Sequence, residues 1–480
     1  MKTRPSKTYT FFGAIIGIYM TSTHTPSTVK ALPTLSVSVL QTALGSMLGT
    51  AVLVGVHHYY RKQRQPEARL QDYVMGLSAH LPSLSLLTSK PVHLQTTPPV
   101  SWVSGVASMP KIASHDGDDT SGFGVVGIDA DKTVVWQTIM PERVHDIVVQ
   151  PMIHVADNAH LKNNAPVQQD ISRDVVVMGR RPSERFWVLD TASGQIKHAI
   201  KAAANRHFYG HACYSLDGLR LYVTENDTVT LEGKVGVYDV HHSYQKVAEF
   251  DSHGIGPHEL IMHPDSDTLI IANGGIKTEQ ASREELNLDS MRPSLVYLNR
   301  HNGKKLEQIT PEHNQMSIRH LAIHDEGTVM IGIQFQGERH INVPLVLTHK
   351  RGDTDLQPLM MPNNQWQRFH QYIASVAVDS QQNLLCVTTP IGGCAAIYDL
   401  TTRQLIDAVS LPDCAGASVL PQHHPSRRSG FIVSDGQGQL TTLQVNSLVL
   451  EDSAADNVSS RIIKSSQRHK MSFDNHLQVL

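Results

Sequence analysis

One pattern recurs along this chain and constrains its fold more than any other feature: a histidine, an alternating apolar run, a turn and a second run. The segments "HACYSLDGLRLYVTEND", "HELIMHPDSDTLIIANGG" and "HLAIHDEGTVMIGIQF" all follow it, and "HDIVVQP" is a shorter copy. Copies of one residue in equivalent places predict a repeated structural unit in which those side chains meet in space. The histidines concerned are His145, His211, His258 and His320.

Residues 101–446 have the composition of an all-β domain. Short runs rich in Val, Ile, Leu, Tyr and Thr alternate with turn signals, and long amphipathic helical patterns are nearly absent. The phrase "LD" or "YD" before a polar turn recurs at Asp190, Asp239 and Asp399. Many short strands with regular turns are typical of a sandwich, a barrel or a propeller.

The repeat distance favours the propeller. Units open near residues 145, 211, 258, 320, 373 and 415, so the spacing is about 40 to 65 residues, which fits four-stranded blades with insertions. Residues 102–140 add about three strands without an opening strand, as expected where the two ends of a chain share one blade. We therefore predict an all-β, seven-bladed β-propeller, with a six-bladed ring as the alternative if the last two units merge.

The N-terminal region predicts one or two hydrophobic helices before the propeller. Residues 1–35 resemble a signal or a first membrane segment, and an apolar stretch at 36–56 predicts a transmembrane helix at 36–60. Basic residues after that helix favour a cytoplasmic propeller by the positive-inside rule, whereas a cleaved signal favours export. Residues 61–100 are interpreted as a linker, and residues 447–480 as a polar tail.

Composition excludes some classes of partner and site. The net charge of −3 argues against a nucleic-acid partner, because such proteins carry a basic patch. The four cysteines form no C-x-x-C pair, which argues against a zinc ribbon. Cys386 and Cys394 flank a predicted hairpin loop and form either a disulfide or two small buried apolar contacts.

The propeller prediction places the recurrent histidines at one site. The first strand of each blade lines the central channel, so a residue directly before it lies at the channel mouth. The alternative is that such histidines only order turns through hydrogen bonds. The predicted ligand-binding residues of this funnel are His145, Asp146, Arg206, His211, Glu225, Asn226, His258, Glu259, Asn273, Arg292, Arg319 and His320, and the four histidines among them are candidate metal ligands.

Several long phrases resemble one protein family. "RHFYGHACYSLDGLRLYVTEND", "GIGPHELIMHPDSDTLIIANGGI" and "MSIRHLAIHDEGTVMIGIQFQG" are similar to the bacterial DUF1513 family, over about residues 102–445. This resemblance implies a seven-bladed, exported propeller and, from the imelysin-like and di-haem cytochrome-like proteins often encoded beside its members, a periplasmic role near iron acquisition. The expected location is the bacterial inner membrane with the propeller in the periplasm, and the expected partner a periplasmic protein or a small molecule. The twin-arginine signal usual in the family is missing from this sequence.

Two functions follow from the predicted funnel. The first is a binding propeller that holds a ligand, a metal ion or a protein partner. The second is a hydrolase similar to lactonase-type propellers, in which a histidine acts as general base and arginines bind a carboxylate. The sequence favours binding, because it shows no set of nucleophile, base and orienting residue.

Overall fold

Twenty-eight β-strands arranged in seven four-stranded antiparallel sheets account for most of the chain that the structure describes. The computed structural model describes residues 99–109, 122–152, 173–278, 285–421, 430–446 and 461–480. Within these ranges, no helix is both long and apolar enough to cross a membrane. The predicted segments 1–35 and 36–60, and almost all of the linker 61–100, lie outside the described residues.

Each sheet is one blade, and the strands of a blade are named from the innermost outward. Blade 1 comprises β4 (Val144–Val149), β5 (Asp174–Gly179), β6 (Arg185–Asp190) and β7 (Ile196–Lys201). Blade 2 comprises β8 (Arg206–Tyr214), β9 (Arg220–Asp227), β10 (Gly233–Asp239) and β11 (Gln245–Asp251). Blade 3 comprises β12 (Pro257–Met262), β13 (Thr268–Asn273), β14 (Ser294–Asn299) and β15 (Lys305–Ile309). Blade 4 comprises β16 (Met316–Ile323), β17 (Thr328–Phe335), β18 (Val346–Lys350) and β19 (Gln357–Pro358).

The remaining blades complete the ring. Blade 5 comprises β20 (Ser375–Asp379), β21 (Leu384–Thr389), β22 (Cys394–Asp399) and β23 (Gln404–Ser410). Blade 6 comprises β24 (Cys414–Val419), β25 (Phe431–Asp435), β26 (Gln439–Val445) and β27 (Ile462–Arg468). Blade 7 comprises β28 (Ser472–Val479), β1 (Val100–Met109), β2 (Gly122–Asp129) and β3 (Val134–Met140). Short 3₁₀ helices lie at Leu288–Ser290, Pro362–Asn364 and Trp366–Phe369.

The innermost strands form a closed ring around the central channel. Each contacts the innermost strand of the next blade, in the order β4, β8, β12, β16, β20, β24, β28 and back to β4. The seven-bladed prediction is therefore confirmed, and the six-bladed alternative is wrong.

Blade 7 unites strands from the two ends of the described chain, as predicted. β28 pairs antiparallel with β1, with Ser104 opposite Leu477 and Trp102 opposite Val479. The interpretation of 447–480 as a polar tail is wrong for its described part, because β27 and β28 lie there and the propeller continues past residue 446. Phe473 and Leu477 are buried in the same apolar cluster as Trp102, and this contact with a distant segment holds the short strand in place.

The recurrent "LD" and "YD" phrases end the third strand of a blade. In β10, Tyr238 is buried and the next residue, Asp239, accepts backbone N–H groups from His241 and His242 through its Oδ1. Asp190 and Asp399 accept the same two bonds from the turns that follow them. An aspartate that bonds its own backbone two residues on stabilises a tight turn, so the phrase marks the step from the third to the fourth strand.

The cysteines form no disulfide within the described chain. Cys386 lies opposite Ile397 in the β21–β22 pair, whereas Cys394 lies opposite Thr389, so the two are not cross-strand neighbours. Both are buried and free. The disulfide alternative is wrong, and the two residues act as small apolar side chains.

Candidate functional site

The innermost strands are irregular where the histidines lie. In β4 the register breaks between Val144 and Ile147, which leaves His145 and Asp146 out of regular pairing. Equivalent breaks occur in β8, β12, β16 and β28. A β-bulge re-aims a side chain relative to the pleat, and here the bulges allow the imidazoles to turn toward the axis of the ring. The predicted histidines thus lie within the innermost strands, not before them at the mouth.

Five imidazole rings meet in the channel. The ring centroids are 4.6 Å apart for His145 and His211, 4.4 Å for His211 and His258, and 4.9 Å for His258 and His320. The fifth ring is His476 of β28, whose centroid lies 5.0 Å from that of His211. Together these are His145, His211, His258, His320 and His476, which we call the histidine ring.

His476 was not among the site residues predicted from the sequence. It stands in "FDNHLQV", where a histidine precedes an apolar residue at the same level of the blade as in "IRHLAI". The turn and second apolar run of the repeat pattern do not follow its strand, because its partner strand β1 lies near the other end of the described chain. The unpaired three-strand segment 102–140 was the signal, since its missing opening strand had to come from the C-terminal region.

Within the described residues, blades 5 and 6 contribute no imidazole to the histidine ring. Ser375 Oγ accepts the N–H of Ala417 (3.2 Å), as Asp146 accepts that of Ala212 (3.2 Å). This correspondence places Ala374 and Gly416 at the histidine level in blades 5 and 6. Five neighbouring blades therefore supply the rings, and the other two supply nothing larger than a methyl group.

Gly210 allows this close approach. Its φ is +111°, and a Cβ at this position would lie 2.7 Å from Cδ2 of His145. Both the left-handed backbone and the contact require glycine before His211. The residue that precedes one histidine therefore makes room for the ring of another.

Asp146 connects three blades below the histidine ring. Its carboxylate lies 3.4 Å from Nδ1 of His211 and 3.4 Å from Nδ1 of His476. It also accepts the backbone N–H groups of Ile147 and Ala212. Burial alone would raise the pKa of Asp146, but its interactions with the His211 and His476 rings and the hydrogen bond from the Ala212 backbone lower it to about 2.

Glu259 has the equivalent role two blades on. Its Oε2 lies 3.1 Å from Nδ1 of His320 and accepts the N–H of Leu321 (3.0 Å). Burial raises the pKa of Glu259 to about 8, with attraction to His211 opposing the shift. Through contacts with Nδ1, the Asp146 and Glu259 side chains orient three of the five rings.

Several ring nitrogens have no partner. His145 Nδ1, His211 Nε2, His258 Nδ1 and His476 Nε2 are buried without a hydrogen bond to the described residues, and His211 Nδ1 lies 3.4 Å from the Asp146 carboxylate. Each such atom costs about 1–3 kcal/mol in a folded protein. Their convergence at one point places several buried nitrogens without hydrogen bonds next to one another.

The surroundings favour neutral imidazoles. Burial first, and then repulsion from neighbouring histidines and arginines, hold the pKa of His145, His258 and His320 well below the usual value. Burial likewise lowers the pKa of His476 to about 3, although Asp146 opposes the shift. Neutral imidazole is the form that binds metal ions.

The ring nitrogens are close enough to share an ion. Each of two sets has ligand atoms within 4.8 Å of one another, and both contain His211. The sets are His145, His211 and His258, and His211, His320 and His476.

A layer of cationic and phenolic groups lies on the strand-start side of the histidine ring. Arg319 directly precedes His320 at the bulge in β16, and its charge contributes to the low pKa of His258 and His320. Arg181 stacks over Tyr209, with its Cζ 4.7 Å from the ring centroid, and donates to the hydroxyls of Tyr209 (2.6 Å) and Thr278 (2.9 Å).

A cavity lies on the other side. It has a volume of about 370 Å³, and Asp146, Glu259, His320 and His476 line it together with apolar side chains of the innermost strands. The ring thus separates an acidic, mostly apolar cavity from a basic layer.

Two residues predicted to face the funnel lie between strands of blade 2. Arg206 forms ion pairs with Asp227 and Glu249, each at 2.7 Å. Glu225 is buried against Lys246 (2.6 Å) and accepts the hydroxyl of Tyr238 (2.7 Å). The prediction for these two side chains is wrong, because the outer strands supply their charged partners.

Three further predicted residues also lie away from the histidine ring. Asn226 is buried in β9 with its amide directed to the carbonyl of Asp227. Asn273 donates to the carbonyl of Ser252 (3.0 Å) and so fixes a loop. Arg292 is exposed, and no hydrogen bond or ion pair within the described residues joins it to the histidines.

Comparisons with known proteins identify the family. The model of the family described as "Protein of unknown function (DUF1513)" matches residues 153–480. Among solved structures, hydrazine synthase of Kuenenia stuttgartiensis is 16% identical, with 72% of this chain and 96% of that chain covered and a TM-score of 0.47. A chain of the mitotic checkpoint complex is 14% identical, with 57% and 73% covered and a TM-score of 0.42. No curated protein matches. Since the family model spans well over half of the sequence, the chain belongs to the DUF1513 family.

Proposed function

We propose that this propeller binds a transition-metal ion in the histidine ring. The observation that carries the proposal is the convergence of five imidazoles, four of which have buried nitrogens without a hydrogen-bond partner among the described residues. A metal ion would satisfy several of those nitrogens at once. Imidazole nitrogen suits zinc, copper, nickel and iron, and it is a poor ligand for magnesium or calcium.

The carboxylates support this role without being ligands. Asp146 and Glu259 face Nδ1 of His211, His476 and His320, so the proton of each neutral ring is held on Nδ1. That tautomer leaves Nε2 with its lone pair free, which is the arrangement found around protein metal ions. His211 belongs to both possible ligand sets and is therefore the central ligand of the proposal.

Calorimetric titration of the chelator-treated, full-length protein tests the proposal. We expect one site with a Kd below about 1 μM for Zn²⁺, Ni²⁺ or Cu²⁺, which corresponds to a binding free energy of about −8 kcal/mol or stronger. Mg²⁺ should not bind. His211→Ala should weaken binding at least about 10-fold. The matched control is His340→Ala, since the side chain of His340 is 76% exposed. Equal affinity in the His211 variant and the control would refute the proposal.

The location is the second part of the proposal. The apolar stretch at 36–56 and the export usual in the family support a membrane-anchored protein with its propeller in the periplasm, where a metal-binding module has access to incoming iron or other ions. Protease treatment of intact and permeabilised spheroplasts tests this. Digestion of the propeller in intact spheroplasts is the expected result, and protection until the membrane is opened would contradict it.

A further inference from the structure

Three layers of side chains follow one another along the innermost strands. Tyr209 lies two residues before His211, and Arg319 lies directly before His320. The histidine ring comes next, and Asp146 and Glu259 each follow a histidine directly. An ion in the ring would therefore have Asp146 and Glu259 on one side and a guanidinium on the other.

Arg319 is partly buried and forms no ion pair within the described residues. Its Nε is buried with no hydrogen-bond partner among the described residues. Arg181 lies close enough to repel it, and the nearby carboxylate is that of Glu285, an exposed residue. A partly buried guanidinium in such surroundings would be stabilised by an anion, because a charge withdrawn from water is costly unless it is paired.

A bare divalent ion does not fit this layer arrangement well. Like charges repel more strongly in a protein interior than in water, and Arg319 is near enough to the ring to act on His258 and His320. An anion between the ion and the guanidinium would turn this repulsion into two attractions. Its oxygens would also meet donors in the fixed, planar geometry that arginine offers.

Resting on the metal site proposed above, we propose that the ion is bound together with an oxyanion. One oxygen of a carboxylate, carbonate or phosphate group binds the metal on its strand-start side, and the others accept hydrogen bonds from Arg319. Tyr209 and Arg181 form the wall beside it, fixed to each other and to Thr278. The chain therefore recognises a metal–oxyanion pair, free or as part of a larger chelate, and not the ion alone.

Co²⁺ titration of metal-free, full-length protein tests this inference, with visible absorbance as the readout. The titration is made at constant ionic strength in chloride, acetate, bicarbonate and phosphate. At least one oxyanion should raise the Co²⁺ affinity by about 5- to 150-fold, and Co²⁺ should raise the affinity of that anion by the same factor. The arms distinguish a carboxylate from a carbonate and a phosphate.

Arg319→Gln should abolish the enhancement by the oxyanion while Co²⁺ binds in chloride at least as tightly as in the wild type, because a repelling cation is removed. Arg206→Gln makes the same charge change at a residue paired with Asp227 and Glu249, and should keep the full enhancement. Arg319→Lys keeps the charge and loses the planar fork, so it should reduce the enhancement several-fold even if Arg319→Gln does not fold.

The outcomes separate the two proposals. Co²⁺ binding that is the same in all four buffers, or an undiminished enhancement in a folded Arg319 variant, overturns the oxyanion and leaves the metal site intact. Failure of Co²⁺ to bind in any buffer overturns both.

Discussion

Replacement of Asp146 by asparagine tests the orienting role of the carboxylate. The amide has the shape of the carboxylate, but one of its two polar atoms is a donor. Oδ2 of Asp146 accepts the N–H of Ala212 and lies 3.4 Å from His211, and Oδ1 accepts the N–H of Ile147 and lies 3.4 Å from His476. Either orientation of the amide therefore sets an NH₂ group against one backbone N–H and one imidazole.

The imidazole that faces this NH₂ must accept at Nδ1 and so carries its proton on Nε2. That proton occupies the lone pair a metal ion would use. Loss of such an orienting contact lowers metal affinity by about 10- to 100-fold, or about 1.4 to 2.7 kcal/mol. The free energy of unfolding of the metal-free protein should fall by about 1.5 to 3 kcal/mol, as is usual when a hydrogen bond to a charged group is lost.

Ser375→Ala is the matched control for Asp146→Asn. Ser375 Oγ accepts the N–H of Ala417 in the next blade, as Asp146 accepts that of Ala212, but histidines are absent at this level in blades 5 and 6. Zn²⁺ calorimetry and urea unfolding of both variants give affinity and stability. Asp146→Asn should lose both, and Ser375→Ala only about 1 kcal/mol of stability. An Asp146→Asn variant with wild-type affinity, or an equal loss in Ser375→Ala, would show that the carboxylate only joins adjacent blades.

Three further predictions concern the histidine ring. The metal-free protein should lose stability as the pH falls below about 6.5, because histidines in the unfolded chain then bind protons. The buried His145, His258, His320 and His476 do not bind protons at this pH, since their pKa values are lowered in the folded protein, and each contributes up to about 1.4 kcal/mol per pH unit. Urea midpoints that stay the same from pH 7 to pH 5 would contradict this. His476→Ala should weaken Zn²⁺ binding by about 10-fold or more in calorimetry although it lies far from the other repeats in sequence, and an unchanged Kd would remove it from the ligand set. Gly210→Ala should destabilise the protein by about 1–3 kcal/mol in urea unfolding, because the φ of Gly210 is +111° and a Cβ at this position would contact His145. A wild-type midpoint would show that the backbone and the His145 ring can adjust.

The repeat made the fold predictable, and it made part of the site predictable as well. Local features, such as the turn after Asp239 and the position of each histidine in its blade, depend on neighbouring residues and can be inferred from the sequence. His476 could not be found from its own repeat, because its partner strand lies at the opposite end of the chain. Knowledge of the closing strand was needed to assign it.

The errors at Glu225 and Arg206 have a different cause. Each belongs to a strand whose side chains alternate between two faces. Their orientation is set by charged partners in β11, because Glu225 pairs with Lys246 and Arg206 pairs with Glu249. A sequence pattern gives the strand but not the register of its neighbour. The bulges that turn the histidines inward are likewise a property of paired strands.

The position of His476 in the closing strand has a consequence for turnover of the protein. An ion bound by rings from β28 and from blades 1 to 4 would stabilise the junction where β28 pairs with β1 and closes the ring of blades. A free ion concentration of a thousand times the Kd would add about 4 kcal/mol to the free energy of opening. Opening at the seam would expose strand edges to proteases, so the lifetime of the folded chain in the cell would follow the metal supply. Starvation for the ion would then remove the protein by degradation as well as empty its site.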